Sequence, residues 1–183
     1  MNKKVLKYSL FLLALGLISG FLLGLVNSFT APVIENRAKE AAAAALREHY
    51  EYADYSPSMI EEYPDVNPTI TDIFYTFGED GKLTSVIYKT QARGFQSEVL
   101  AYVEIKEDGT FGKTVVLEHR ETAGIGDAIE DHDFGVADSS VNSYKPVISS
   151  GATFSSNAVI EGINAAAEHF KTIQSELGGI TND

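Results

Sequence analysis

The chain has 183 residues, with 14 basic and 26 acidic side chains and a formal net charge of −12. It has no cysteine, which excludes disulfides, thiolate metal sites, cysteine nucleophiles, iron–sulfur ligation and a lipid-modified cysteine. The acidic surface disfavours nucleic acid as a partner, because it repels phosphate backbones. Any redox chemistry therefore needs a bound cofactor.

An apolar segment near the N-terminus predicts a single transmembrane helix. Residues 8–34 contain no charged side chain, and 8–26 are the most apolar part. Nineteen helical residues span about 29 Å, close to the thickness of the bilayer core. Three lysines precede this segment, so the positive-inside rule predicts a single-pass protein of the cell membrane with a cytoplasmic N-terminus. A cleaved signal peptide is the alternative, but residues 27–32 make a poor cleavage site.

The remainder predicts one domain outside the cytoplasm. We assign residues 1–34 to a cytoplasmic tip and anchor, and residues 35–183 to this domain, since its composition shows no second break. Pro32 is expected to break or bend the apolar helix. Residues 35–50 are strong helix formers and predict a linking helix, whereas the proline-rich stretch 51–69 predicts turns.

Two β-hairpins are predicted next. Residues 70–77 pair with 83–90, and residues 99–105 pair with 114–118, because β-branched and aromatic runs flank Asp-Gly turns. The glycine- and aspartate-rich stretch 121–143 predicts a loop with one short helix around 127–129.

A last amphipathic helix completes the predicted elements. It is expected to begin near Ser155 or Ser156, either of which can cap it, and to end at Gly178 and Gly179. Strands in the middle and helices at both ends predict an α+β fold with an antiparallel sheet.

The small residues before this helix predict an anion site. Small side chains let a ligand approach the backbone closely, and the first helical turn presents free N–H groups and a partial positive charge. A phosphate suits such a site, and the hydroxyl of Thr153 would lie beside it. Ordinary helix capping is the alternative interpretation of the same residues.

Ser150-Gly151-Ala152-Thr153, followed by Phe154-Ser155-Ser156, resembles the flavinylation motif of the FMN-binding domain family. That family includes the G subunit of the Rnf electron-transport complex and the C subunit of the sodium-pumping NADH:quinone oxidoreductase. The resemblance implies that Thr153 carries FMN covalently through a phosphoester. It also implies cofactor-binding roles for Ser150, Gly151, Ala152 and Ser155.

A second segment, Glu121-Thr122-Ala123-Gly124-Ile125-Gly126, resembles the family's Glu-Thr-Pro-Gly-Leu-Gly sequence. The glycines leave room for a flat ring, while threonine and backbone groups suit its polar edge and isoleucine its apolar face. A glycine-rich turn is the alternative. The predicted cofactor contacts here are Glu121, Thr122, Gly124, Ile125 and Gly126.

The resemblance implies an electron carrier of a larger complex, with no catalytic residue and no metal site. It would be most like the G subunit of an Rnf-type complex, which couples ferredoxin–NAD electron transfer to ion transport. Its partners would be the other membrane subunits, with FMN attached by a separate flavin transferase of the ApbE type. One alternative is a stand-alone membrane-anchored flavinylated protein. Another is a tethered non-redox module, favoured by Val147, which stands where the family often has an acid.

Overall fold

The computed structural model describes residues 3–121 and 126–182. The chain divides into two compact units, Met1–Ala41 and Ala42–Asp183. The predicted boundary after residue 34 stays a prediction.

The first unit consists of most of helix α1 (Lys3–Arg47). The segment Lys7–Ala31 has a mean hydropathy of 2.4 and no buried residues, so it is long and apolar enough to cross a membrane. Pro32 was expected to break or bend the apolar helix, and the break does not occur. Residues 35–47 continue the same helix instead of forming a separate one. A proline removes one backbone hydrogen bond, but the strong helix formers that follow it sustain the helix.

The second unit is built on a five-stranded antiparallel sheet in the order β1-β2-β3-β4-β5. Both predicted hairpins are confirmed, and each turns through a glycine in the left-handed region, Gly81 at φ +72° and Gly109 at φ +82°. Among the described residues, the prediction missed the two-residue edge strand β1 and the 3₁₀ helix Ile60–Glu62, because this stretch of turns carries no alternating pattern. The strands are β1 (Asp54–Tyr55), β2 (Ile70–Phe77), β3 (Leu83–Arg93), β4 (Glu98–Lys106) and β5 (Phe111–Glu118).

Each face of the sheet carries its own apolar core. Helix α2 (Thr153–Leu177) packs across β3 and β4 on one face, where Ile163 and Phe170 are fully buried. The end of α1 from Ala42 onward covers the other face, with Leu46 buried against aromatic side chains of the strands. Buried sheets need cover on both faces, so the fold is α+β as expected.

Helix α2 begins at Thr153, two or three residues earlier than predicted. Ala152 occupies the N-cap position and makes no side-chain cap, so the predicted capping by Ser155 or Ser156 is wrong. Both serines are buried, and the Ser156 hydroxyl accepts the N–H of Ser149 at 3.1 Å. Local preference for serine at a cap is overridden here by tertiary hydrogen bonds. The helix ends at Gly178 as expected.

We predict that Gly162→Ala lowers the free energy of unfolding by about 1–3 kcal/mol. A Cβ at Gly162 would lie 2.9 Å from Cβ of Thr90 on β3, so α2 would have to move off the sheet. Alanine favours helix formation, so a loss of stability isolates the packing effect. Urea unfolding of the full chain in detergent measures it, with Asn157→Ala on the exposed side of α2 as control. An alanine variant as stable as the parent would contradict this close approach.

Candidate functional site

A cavity of about 360 Å³ lies where α2 begins, and its volume falls within the range of ligand pockets. The structure brings together six of the ten predicted cofactor residues, which come from two segments far apart in sequence. The lining residues are Phe95, Glu121, Gly126, Gly151, Ala152, Thr153, Phe154 and Ser155.

Thr153 is the first residue of α2 and is exposed at the cavity wall. Gly151 precedes it with φ +89°, a left-handed conformation that favours glycine, and a Cβ there would meet no atom within 4 Å. The buried Ala152 at the N-cap offers no side-chain acceptor. The first-turn N–H groups lack intrahelical acceptors, so this helix end is suited to an anion. Ser150 is exposed beside this segment but does not line the cavity.

The carboxylate of Glu121 joins two other segments at the cavity. It accepts N–H groups from the loop between β3 and β4: Phe95 at 3.2 Å, Gln96 at 3.2 Å and Ser97 at 3.1 Å. It also accepts the hydroxyl of Ser155 on α2 at 2.8 Å. This predicted cofactor residue thus directs its hydrogen bonds to the protein and shapes the pocket.

Hydrogen bonding determines the charge state of Glu121. Burial alone would raise its pKa, but hydrogen bonds from the Ser97 N–H, the Ser155 hydroxyl and the N–H groups of Gln96 and Phe95 outweigh that effect. The pKa of Glu121 therefore lies below its ordinary value, because these donors stabilise the ionised carboxylate. The negative charge is part of the folded site at neutral pH.

Two glycines make space for this carboxylate. A Cβ at Gly94 would lie 2.6 Å from Oε1 of Glu121, and one at Gly126 would lie 2.6 Å from its Cβ. A side chain at either position would displace Glu121. In the structure Gly126 leaves room for Glu121, and its predicted role beside a flat ring stays a prediction.

Two phenylalanines at the cavity were missed by the sequence analysis as ligand contacts. Phe95 and Phe154 are 62% and 66% exposed, and their ring centroids lie 5.8 Å apart with the planes tilted by 45°. An aromatic pair beside a cavity offers flat apolar surface to a planar ligand. Phe154 adjoins the motif, but nothing in the sequence near Phe95 indicates that a hairpin loop brings it there.

Three predicted contacts, Thr122, Gly124 and Ile125, lie outside the described residues, and their roles stay predictions. Val147 is 51% exposed, and its N–H donates to the carbonyl of Phe134 at 2.9 Å. Within residues 3–121 and 126–182, no group of three or more histidines and acids is arranged to hold a metal ion.

Comparison with known proteins gives two family matches. Residues 94–168, which include the whole cavity lining, match the family model of the FMN-binding domain. Residues 1–48 match that of the RnfG N-terminal region. The crystal structure of Shewanella oneidensis NqrC is similar at 26% identity and a TM-score of 0.49, over 60% of this chain and 61% of that one. The chain thus spans about three fifths of that relative. A search of curated proteins found no significant match.

The cavity therefore lies in a region that matches an FMN-binding domain, and an apolar N-terminal helix precedes this region in the chain. The chain is similar to RnfG-like FMN-binding proteins, because the RnfG N-terminal region and the FMN-binding domain match in that order over residues 1–48 and 94–168. These matches support FMN as the cofactor and an RnfG-like protein as the class.

We predict that Glu121→Gln destabilises the protein at pH 7 and that this difference shrinks on acidification. Because the pKa of Glu121 is lower folded than unfolded, its ionised form adds stability above the unfolded value, near 4.5. That stability is lost as pH falls through the folded pKa. Urea unfolding of both proteins between pH 7 and pH 3 measures it.

The exposed Glu118→Gln serves as the matched control for Glu121→Gln, since it removes one carboxylate at the surface of β5. We expect it to change the free energy of unfolding little at any pH. An effect of Glu121→Gln that is equal at pH 7 and pH 3 would contradict the assignment.

Proposed function

We propose that the chain is an electron-transfer subunit that carries FMN covalently through a phosphoester on Thr153. The observation that carries this proposal is the exposed Thr153 at the first turn of α2, on the wall of a cavity that lies within the FMN-binding-domain match. A hydroxyl there stands next to backbone N–H groups suited to a phosphate. Attachment and phosphate binding would then use the same helix end.

The chemistry of the residues present suits FMN. Gly151 and Ala152 let the phosphate approach the backbone, and the free N–H groups of α2 would hold it. Phe95 and Phe154 would offer their faces and edges to the isoalloxazine ring. When bound, FMN supplies one- and two-electron transfer, while the protein holds, orients and shields it.

Glu121 supports this role indirectly. Its charge fixes the loop that carries Phe95 against the helix turn that carries Thr153. The two parts of the site, one for the ring and one for the phosphate, are thereby held at a set spacing. Thr122, Gly124 and Ile125 would complete the ring site, as their motif implies.

The wider setting we propose is an Rnf-type complex that couples ferredoxin–NAD electron transfer to ion transport. The match of residues 1–48 to the RnfG N-terminal region supports it over a stand-alone carrier. Residues 1–34 would form a cytoplasmic tip and membrane anchor, and residues 35–183 an extracytoplasmic domain. The partners would be the other membrane subunits, and a flavin transferase of the ApbE type would attach FMN.

We predict that the intact mass of the chain, co-expressed with such a transferase, rises by one FMN less one water. Thr153→Val should abolish the gain, because it keeps the side-chain shape and removes the hydroxyl. Thr153→Ser should retain it, since a serine hydroxyl remains at the same backbone position. Mass spectrometry of the full chain in detergent measures all three proteins.

Ser150→Ala is the matched control, because it removes a neighbouring exposed hydroxyl and leaves Thr153 intact. Its mass gain should equal that of the parent. If the mass gain survives in Thr153→Val, or disappears only in Ser150→Ala, FMN is attached to a residue other than Thr153. No gain in any protein would favour the non-redox module.

A further inference from the structure

The charge of the cavity at the start of α2 is negative. Of the eight described residues that line it, the one that carries a charge is Glu121. These lining residues include no lysine, arginine or histidine. The neighbouring residues 122–125 are uncharged in the sequence, and Arg120 lines a separate cleft. The described wall of the cavity therefore holds a carboxylate and no basic side chain to offset it.

The hydrogen-bond donors around Glu121 are already in use. Its carboxylate accepts three N–H groups of the loop between β3 and β4 and the hydroxyl of Ser155. These bonds hold the pKa of Glu121 below its ordinary value, so the group is ionised at neutral pH. A phosphate in the cavity would have to displace the carboxylate to use the same donors. The N–H groups at the start of α2 are left to hold a ligand anion.

The start of α2 offsets only part of this negative charge. The free N–H groups of a first helical turn act as about half a positive charge, whereas the carboxylate of Glu121 carries a full negative one. The rest of the domain adds to the imbalance. Three of the 14 basic residues precede residue 8 and all 26 acidic residues follow residue 34, which leaves residues 35–183 with a net charge of −15. A ligand with two negative charges is therefore repelled.

Free FMN and FMN attached to the protein differ in charge. A free phosphate monoester carries about −1.5 to −2 charges at pH 7. In FMN bonded to Oγ of Thr153, with the net loss of one water, the phosphate is a diester with a single negative charge. One negative charge is better matched to the partial positive charge of the helix start than two. Riboflavin has the same ring without the phosphate and meets no such repulsion.

We propose that Glu121 is a specificity-determining residue that makes the cavity disfavour free FMN, while the cavity accepts riboflavin or an FMN attached to Thr153. This inference rests on the proposed function, because it takes a flavin as the ligand of the cavity. Phe95 and Phe154 offer apolar ring surface to any flavin, whatever the charge of its phosphate. The charge of Glu121 acts on the phosphate instead. The unmodified chain then stays free of FMN, and the hydroxyl of Thr153 stays accessible for attachment.

The test compares the binding of FMN and of riboflavin to the full chain in detergent, expressed without the transferase. Equilibrium dialysis at neutral pH and low ionic strength measures the two dissociation constants, with detergent alone as the blank. In the parent we expect the Kd of FMN to exceed that of riboflavin about tenfold. Salt at about 0.5 M should lower the Kd of FMN severalfold, because it screens the repulsion. The Kd of riboflavin should change less than about twofold, since this ligand carries no phosphate.

Glu121→Gln removes the charge and keeps the size of the side chain. The ratio of the Kd of FMN to that of riboflavin should fall about fivefold in this variant. The ratio is the informative quantity, because damage to the loop that carries Phe95 weakens both ligands, whereas loss of the charge strengthens FMN alone. Glu118→Gln is the matched control, since it removes an exposed carboxylate of β5, and its ratio should stay within about twofold of the parent's.

Equal affinities in the parent, or tighter binding of FMN, would overturn the proposal. A ratio in Glu121→Gln equal to that of the parent would also overturn it. If riboflavin does not bind, the cavity lacks the affinity for the ring that the proposal requires, and the proposal is wrong. Far-ultraviolet circular dichroism establishes that each variant is folded. If Glu121→Gln is not, Glu121→Met, of similar length and without a charge, takes its place with the same expected fall.

The mass measurement on the co-expressed chain separates this inference from the proposed function. A mass gain on Thr153, together with free FMN bound as tightly as riboflavin, would overturn the selectivity of Glu121 and leave the proposed function standing. A preference for riboflavin without any mass gain would overturn the covalent attachment and leave the selectivity standing.

Discussion

The site depends on one carboxylate. Glu121 accepts three backbone N–H groups from the loop after β3 and a hydroxyl from the first turns of α2, so a single charge joins the two walls of the cavity. A partly buried charge is tolerated only where donors replace water, and these four donors do so. The N–H groups of this loop have no acceptor in a neighbouring strand, and the carboxylate of Glu121 supplies one. Gly94 and Gly126 follow from the same constraint, because any side chain there would occupy the space of the Glu121 side chain.

The sheet and α2 give this interaction its fixed frame. Helix α2 lies across β3 and β4 through small residues, and Gly162 brings its backbone against Thr90. Close approach along the helix fixes the place of its first residue, Thr153, relative to the hairpin loop. The loop is short and begins and ends in paired strands, so Phe95 has little freedom to leave the cavity. The site lies at the ends of rigid elements that the charge of Glu121 joins. Its geometry is therefore set before any ligand binds.

Sequence was sufficient where structure is local. Asp-Gly turns between β-branched runs give both hairpins, and the two motifs together give six cavity residues. Prediction from sequence failed where contacts between distant segments determine the structure. Ser155 and Ser156 have the chemistry of helix caps, yet their hydroxyls serve Glu121 and Ser149, and the helix begins at Thr153. Phe95 could not be assigned because only the folded loop brings it to Phe154. Sequence also gave no sign that Glu121, predicted as a cofactor contact, joins the two protein walls of the cavity.

In the proposed function, the exposed aromatic pair and the covalent link to FMN complement each other. Phe95 and Phe154 are more than half exposed, so a ring placed beside them keeps much of its own surface in contact with solvent or with a partner. A ring that buries little surface binds weakly without a covalent link, because the free energy gained from burial must first offset the entropy lost on binding. A phosphoester on Thr153 removes that requirement, since a tethered ligand stays at high effective concentration whatever its intrinsic affinity. The ring can then remain open for electron exchange without being lost from the protein. Retention would therefore come from the bond to Thr153, and orientation from the framework that Glu121 holds in place.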